Sequence, residues 1–73
     1  MREATKATWC WNTNPCRNAD GSTATIDQRP AKSGGWLYHW TLTVPSRGTF
    51  SGCSHSEAQA QGRIRATHRE VTR

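Results

Sequence analysis

Between Trp36 and Val44 the chain alternates with period two. Trp36, Tyr38, Trp40, Leu42 and Val44 fall on one side of an extended strand, and Leu37, His39, Thr41 and Thr43 on the other. Aromatic and β-branched residues dominate the run, so it reads as a strand with one buried face. Pro45 ends it. Residues 45–48 (PSRG) carry Pro early and Gly late, as a turn does, and residues 49–53 (TFSGC) return antiparallel to complete a hairpin. Upstream, residues 22–29 (STATIDQR) are β-branched and alternating, a second strand poor in apolar residues. Residues 7–11 (ATWCW) place Trp9 and Trp11 two apart, on one face of a further strand. The intervening segments, 12–22 (NTNPCRNADGS) and 29–35 (RPAKSGG), are dense in loop-forming residues and read as loops.

After the hairpin the period changes. Residues 56–71 (SEAQAQGRIRATHREV) combine good helix formers with one weak position, Gly62. Ala60, Ile64, Thr67 and Val71 recur at i, i+4, i+7 and i+11 and form one narrow stripe. Ser54 and Glu57 have the spacing of a capping box. The pattern predicts the order β-β-β-β-α. The fold class is α+β: a small antiparallel sheet of three to four strands with one C-terminal helix packed on one face, the Trp-bearing one. One small domain spans residues 1–73, centred on the hairpin and helix of residues 36–71; whether residues 1–30 order without a ligand stays open.

Size sharpens this picture. A domain of 73 residues buries only about 60% of its unfolded surface, and large aliphatic residues are scarce here. Each Trp can bury roughly 150–250 Å², so the core is expected to organise around Trp9, Trp11, Trp36 and Trp40. No apolar run approaches the ~20 residues that span a bilayer. The N-terminus also lacks the apolar stretch of a secretory leader. The expectation is a small cytoplasmic protein without a membrane partner. Three Cys, an odd number, argue against a secreted disulfide framework.

Charge then points to partners. The net charge is +5, with eight Arg and two Lys, which favours acidic partners such as nucleic acid or an acidic protein face. On the helix, Arg65, Arg69 and Arg73 lie four apart, opposite the apolar stripe. They can straddle a phosphate backbone, or they can complement the helix dipole and solvate the outer face. The aromatic side of residues 36–44 can stack on unpaired bases. If the helix packs there instead, the rings become core and His39, Thr41 and Thr43 form the open surface.

Catalytic and metal chemistry have little support. His39, His55 and His68 fall in separate segments, and the five acids form no local pair. Cys53 and His55 lie two apart but need not meet, and no glycine-rich phosphate cradle is present. The reading is therefore non-enzymatic. Cys10, Cys16, Cys53 and His55 are the right ligand types for a structural zinc, but C-x5-C and C-x-H are not the usual tight spacings. Free thiols are the competing explanation.

Residues 35–61 (GWLYHWTLTVPSRGTFSGCSHSEAQAQ) resemble the arm-binding N-terminal DNA-binding domains of phage and transposon integrases. Those in turn resemble the plant ethylene-response-factor domain, in which a three-stranded sheet enters the major groove. The shared features are an alternating aromatic strand, a Gly-containing turn, a short return strand and a Ser-capped helix, over about residues 29–66. The resemblance implies that the outward sheet face contacts double-stranded DNA, here through Arg29, Lys32, His39, Thr41, Thr43 and Arg47. The strands carry fewer Arg and Lys than such domains do. Residues 52–62 also resemble the last strand and helix of double-stranded RNA-binding domains at Gly52, Ser54 and Ala58. The phosphate-contacting lysines of that family are replaced by His55, Ser56 and Gln59. The expected function is a small basic DNA-binding accessory protein of a phage or mobile element. The alternative is a protein–protein interaction module, an inhibitor or antitoxin-like factor bound to a host protein, for which an exposed Trp9/Trp11 patch would speak.

Overall fold

The computed structural model describes residues 9–73. The described residues form one antiparallel meander and one helix, in the order β1 (Trp9–Cys10), β2 (Cys16–Asn18), β3 (Thr23–Pro30), β4 (Trp36–Val44), β5 (Gly48–Ser54) and α1 (Glu57–Thr72). Spatial order follows chain order, so every strand pairs with its sequence neighbour. The α+β class and the helix are as the pattern predicts, but the sheet has five strands. The extra one is β2, inside the segment read as a loop. It spans only three residues, too short to show alternation. It is held by the turn that follows: the Asn18 amide donates to the Ser22 carbonyl at 2.9 Å, and the Gly21 amide to the Asn18 carbonyl at 3.0 Å. β1 ends at Cys10, one residue before the predicted end at Trp11, and residues 7–8 of that predicted strand lie outside the described residues.

The pairing register sorts every strand residue onto one of two faces. Ala24 pairs with Leu42, Ile26 with Trp40, and Trp40 with Gly52; these face α1. The core cluster is Trp9, Cys16, Ala24, Trp40, Leu42, Val44, Ala60 and Ile64, with Trp11, Ile26, Tyr38, Phe50 and Val71 packed against it. The helix does cover the aromatic face, and three of the four expected Trp join the core. Trp36 does not: it is 54% exposed. β5 ends at Ser54, opposite Tyr38, and the helix starts three residues later. The β3–β4 hairpin therefore runs on past the helix N-terminus and leaves Trp36 uncovered.

The helix is capped two residues later than the sequence suggests. Ser56 is the N-cap, its Oγ accepting from the Gln59 amide at 3.1 Å, while the Gln59 Oε1 accepts from the His55 amide at 2.9 Å. Ser54 belongs to β5 and is buried, so it cannot serve as the cap. The buried helix positions are Ala60, Ile64 and His68. His68 takes the place in the stripe that Thr67 was expected to hold.

That substitution has a partner. His68 Nε2 lies 2.7 Å from Asp20 Oδ2 in the β2–β3 turn. A carboxylate only accepts, so Nε2 carries the proton of this bond. The His68 ring also meets Trp9 edge-on, with centroids 5.6 Å apart, and Trp9 stacks on Trp11 at 5.2 Å. One cluster thus ties β1, the β2–β3 turn and the last helical turns together. Burial pushes the Asp20 carboxyl up, but hydrogen bonds from the Ser22 amide and from His68 outweigh it and hold it below its usual range. Among the described residues no helix is long and apolar enough to cross a membrane.

Candidate nucleic-acid interface

With α1 on one side, the other face of the sheet is left open, and its composition follows from the register. Cys10 lies across from Arg17, Arg17 from Thr23, Thr23 from Thr43, and Thr43 from Thr49. The next row is Thr25, Thr41 and Ser51, the next Asp27, His39 and Cys53, and then Arg29 beside Leu37. Strands lie about 4.8 Å apart and same-face residues repeat about every 6.6 Å along a strand. The face is therefore a regular array of short hydroxyl side chains. Thr43 Oγ1 and Thr49 Oγ1 are 3.3 Å apart and share a hydrogen bond. Cations bracket the array: Arg17 and Arg29 on the strands, Lys32 in the β3–β4 turn and Arg47 in the β4–β5 turn. Asp27 is the one carboxylate in its rows.

The nine basic and polar residues singled out in the sequence do not converge on one surface. His39, Thr41 and Thr43 lie on the open face as the alternation predicts, with Arg29, Lys32 and Arg47 at its margins. Arg65, Arg69 and Arg73 are exposed on the helix. Because α1 sits against the opposite face of the sheet, a rigid ligand on the hydroxyl array cannot reach them. Arg73 is also drawn to Glu70, Nη2 to Oε1 at 3.3 Å, with both side chains exposed. Arg69 stands in the last helical turn, where it complements the dipole. Arg69 and Arg73 thus have local roles on the helix, whereas Arg65 is simply exposed. Arg17, Thr23, Thr25, Thr49 and Ser51 were missed in the sequence. For Arg17 the surrounding Asn, Pro and Gly masked a short strand, and for the others the cross-strand register is invisible in one dimension.

The four residues of the zinc reading are not brought together. Cys10 on β1 and Cys53 on β5 stand at opposite edges of the sheet, while Cys16 on β2 is buried on the helix side. Among the described residues no group of three or more metal-ligating side chains forms. Burial pushes the Cys16 thiol up. Its Sγ points to the Trp11 carbonyl at 3.8 Å, as a small buried hydrophobe with a weak donor does.

A second surface lies at the far end of the β3–β4 hairpin. Pro30, Ala31, Lys32, Trp36, Leu37 and His55 line a shallow cleft there of about 590 Å³. The Gly34–Gly35 turn that forms its rim has positive φ at both residues, +96° and +75°, so a side chain at either would strain the backbone. By contrast, Trp9 is buried and Trp11 half-buried, so the exposed Trp9/Trp11 patch does not form. No protein-family model, curated protein or solved structure matches this chain.

Proposed function

We propose that this protein binds duplex DNA through the open face of β2, β3, β4 and β5, without catalysis, as an accessory factor of a phage or mobile element. The observation that supports the reading is the cation-bracketed hydroxyl array on a sheet whose other face, apart from the end that carries Trp36, is covered by α1. Thr, Ser and Arg are the side chains that position a protein on phosphate oxygens, and a major groove about 12 Å wide accepts a β-ribbon. Neutralising three or four phosphates gives a slope of log K against log salt of about −3 to −4.

Fluorescence anisotropy with a labelled duplex, titrated across salt, tests this. Arg17→Ala with Arg29→Ala is expected to reduce the slope by about two. Arg65→Ala with Arg69→Ala is expected to change it less. Binding that ignores salt, or no binding at micromolar protein in low salt, overturns the proposal. If the helical pair carries the larger loss, binding belongs to the helix and not to the sheet.

Exposed Trp36 favours a second reading, docking on a host protein, since Trp dominates interface hot spots. A partner that survives nuclease treatment, is retained by the wild type and is lost with Trp36→Ala decides for it.

A further inference from the structure

We propose that Cys53 is a thiol-modification site, at which His39 serves as the proton acceptor for exchange with a small disulfide of the glutathione type. The three cysteines occupy three different settings. Cys16 is buried and faces a backbone carbonyl. Cys10 is exposed, across the β1–β2 ladder from Arg17; a guanidinium stabilises a thiolate but cannot take up its proton. Cys53 is exposed and lies directly across the β4–β5 ladder from His39, with Sγ 3.5 Å from both Nδ1 and Nε2. The ring thus lies against the sulfur, and a turn about its Cβ–Cγ bond brings the nitrogen that is unprotonated in a neutral imidazole to face the thiol.

The other flank of His39 is occupied by Asp27, its register partner on β3. Cβ atoms of such pairs lie about 4.5–5.5 Å apart. The row Asp27–His39–Cys53 thus sets a carboxylate beside the imidazole on the side away from the thiol, opposite in charge to the ring once it has taken up the thiol proton. The charged and titratable groups around His39 are Asp27 from β3 and Cys53 from β5, with Arg29 diagonal to it on β3 and His55 two residues beyond Cys53, beside Leu37. The helix lies on the other side of the sheet.

In the exchange the Cys53 proton passes to the imidazole, and Sγ attacks one sulfur of the disulfide. The external S–S bond breaks as the new one forms. The departing thiolate then recovers the proton from His39. Cys53 is oxidised to a mixed disulfide and one half of the incoming disulfide is reduced to a thiol. The adduct stands next to Ser51 on β5, at the edge of the hydroxyl array, and a glutathionyl group adds negative charge there. Modification therefore weakens duplex binding, a consequence that rests on the proposed function, whereas the modification itself does not.

The test treats the reduced full chain with glutathione disulfide between pH 6 and pH 9 (roughly the range in which His and Cys change charge) and quantifies each cysteine by peptide mass spectrometry. Cys53 is expected to react faster than Cys10. His39→Gln is expected to slow Cys53 by roughly tenfold or more and to leave Cys10 unchanged, with an unaltered circular dichroism spectrum. Asp27→Asn is expected to slow Cys53 less than His39→Gln does. Equal rates at Cys10 and Cys53, or a Cys53 rate indifferent to His39→Gln, overturn the proposal. If the modified chain binds duplex as tightly as the reduced chain, the regulatory consequence is refuted while the rates still decide the site. If neither form binds duplex, the proposed function fails and the rates decide this proposal alone.

Discussion

Gly52 is expected to be indispensable because of the ring that lies across it. A methyl group there would stand 2.6 Å from Trp40 Cζ2, 2.8 Å from Cε2 and 3.0 Å from Nε1. Carbon atoms pack at about 3.5–4.0 Å, so the indole must retreat by roughly 1 Å. Trp40 is only 5% exposed, and its retreat drives it into the packed core. Overpacking of this kind costs about 1–3 kcal/mol. In the other direction, replacing a strand glycine with alanine returns about 0.5–1 kcal/mol of chain entropy. The net for Gly52→Ala is a loss of up to about 2.5 kcal/mol, centred on about 1 kcal/mol. A core this small supplies little more than about 3–5 kcal/mol in all. With an m-value near 1 kcal/mol/M, the urea midpoint should fall by about 1 M. Far-UV circular dichroism is the readout, since it does not depend on Trp40 itself. In a Trp40→Phe background Cζ2, the atom nearest the added methyl, is gone, and Gly52→Ala should cost measurably less. A Gly52→Ala midpoint at or above wild type refutes the reasoning, as does an equal cost in both backgrounds.

Four further outcomes are expected. Asp20 is held below its usual carboxyl range, so its contribution to stability is complete above the unfolded value of about 3.9 and is lost as pH falls through the lower folded value. Urea midpoints measured down to pH 2 should show this loss in the wild type and lack it in Asp20→Asn. At neutral pH, Asp20→Ala leaves the buried His68 without its partner and should cost about 1–3 kcal/mol by the same assay. Ser56→Ala removes the cap found here and should cost about 1 kcal/mol of stability, with fraying seen as faster amide exchange at residues 57–60. Trp36→Ser should change stability by no more than about 0.5 kcal/mol, read from the urea midpoint, whereas Trp40→Ala should cost about 3–5 kcal/mol and so abolish the cooperative urea transition.

Much of the open face is legible in the alternation of residues 36–44. His39, Thr41 and Thr43 fall there because strand alternation is local, and the shortage of aliphatic residues assigns the opposite, aromatic face to the core. The margins of that surface are less legible. Arg17 sits in a three-residue strand whose identity depends on the ladder beside it, and β-bridge partners such as Thr25 and Ser51 share a row only once the register is set.

The sequence by itself determined the long alternating strand, the return hairpin, the helix and the face that the helix covers. These follow from periods of 2.0 and 3.6 acting over a few residues. Tertiary structure alone decided that Trp36 escapes the core, because the helix begins too late to reach it. It also decided the contacts between distant segments: His68 with Asp20, the Trp40 ring over Gly52, and Cys53 beside His39. Each joins residues whose separation in sequence carries no periodic mark, and only the register of the sheet and the placement of the helix on it bring them together.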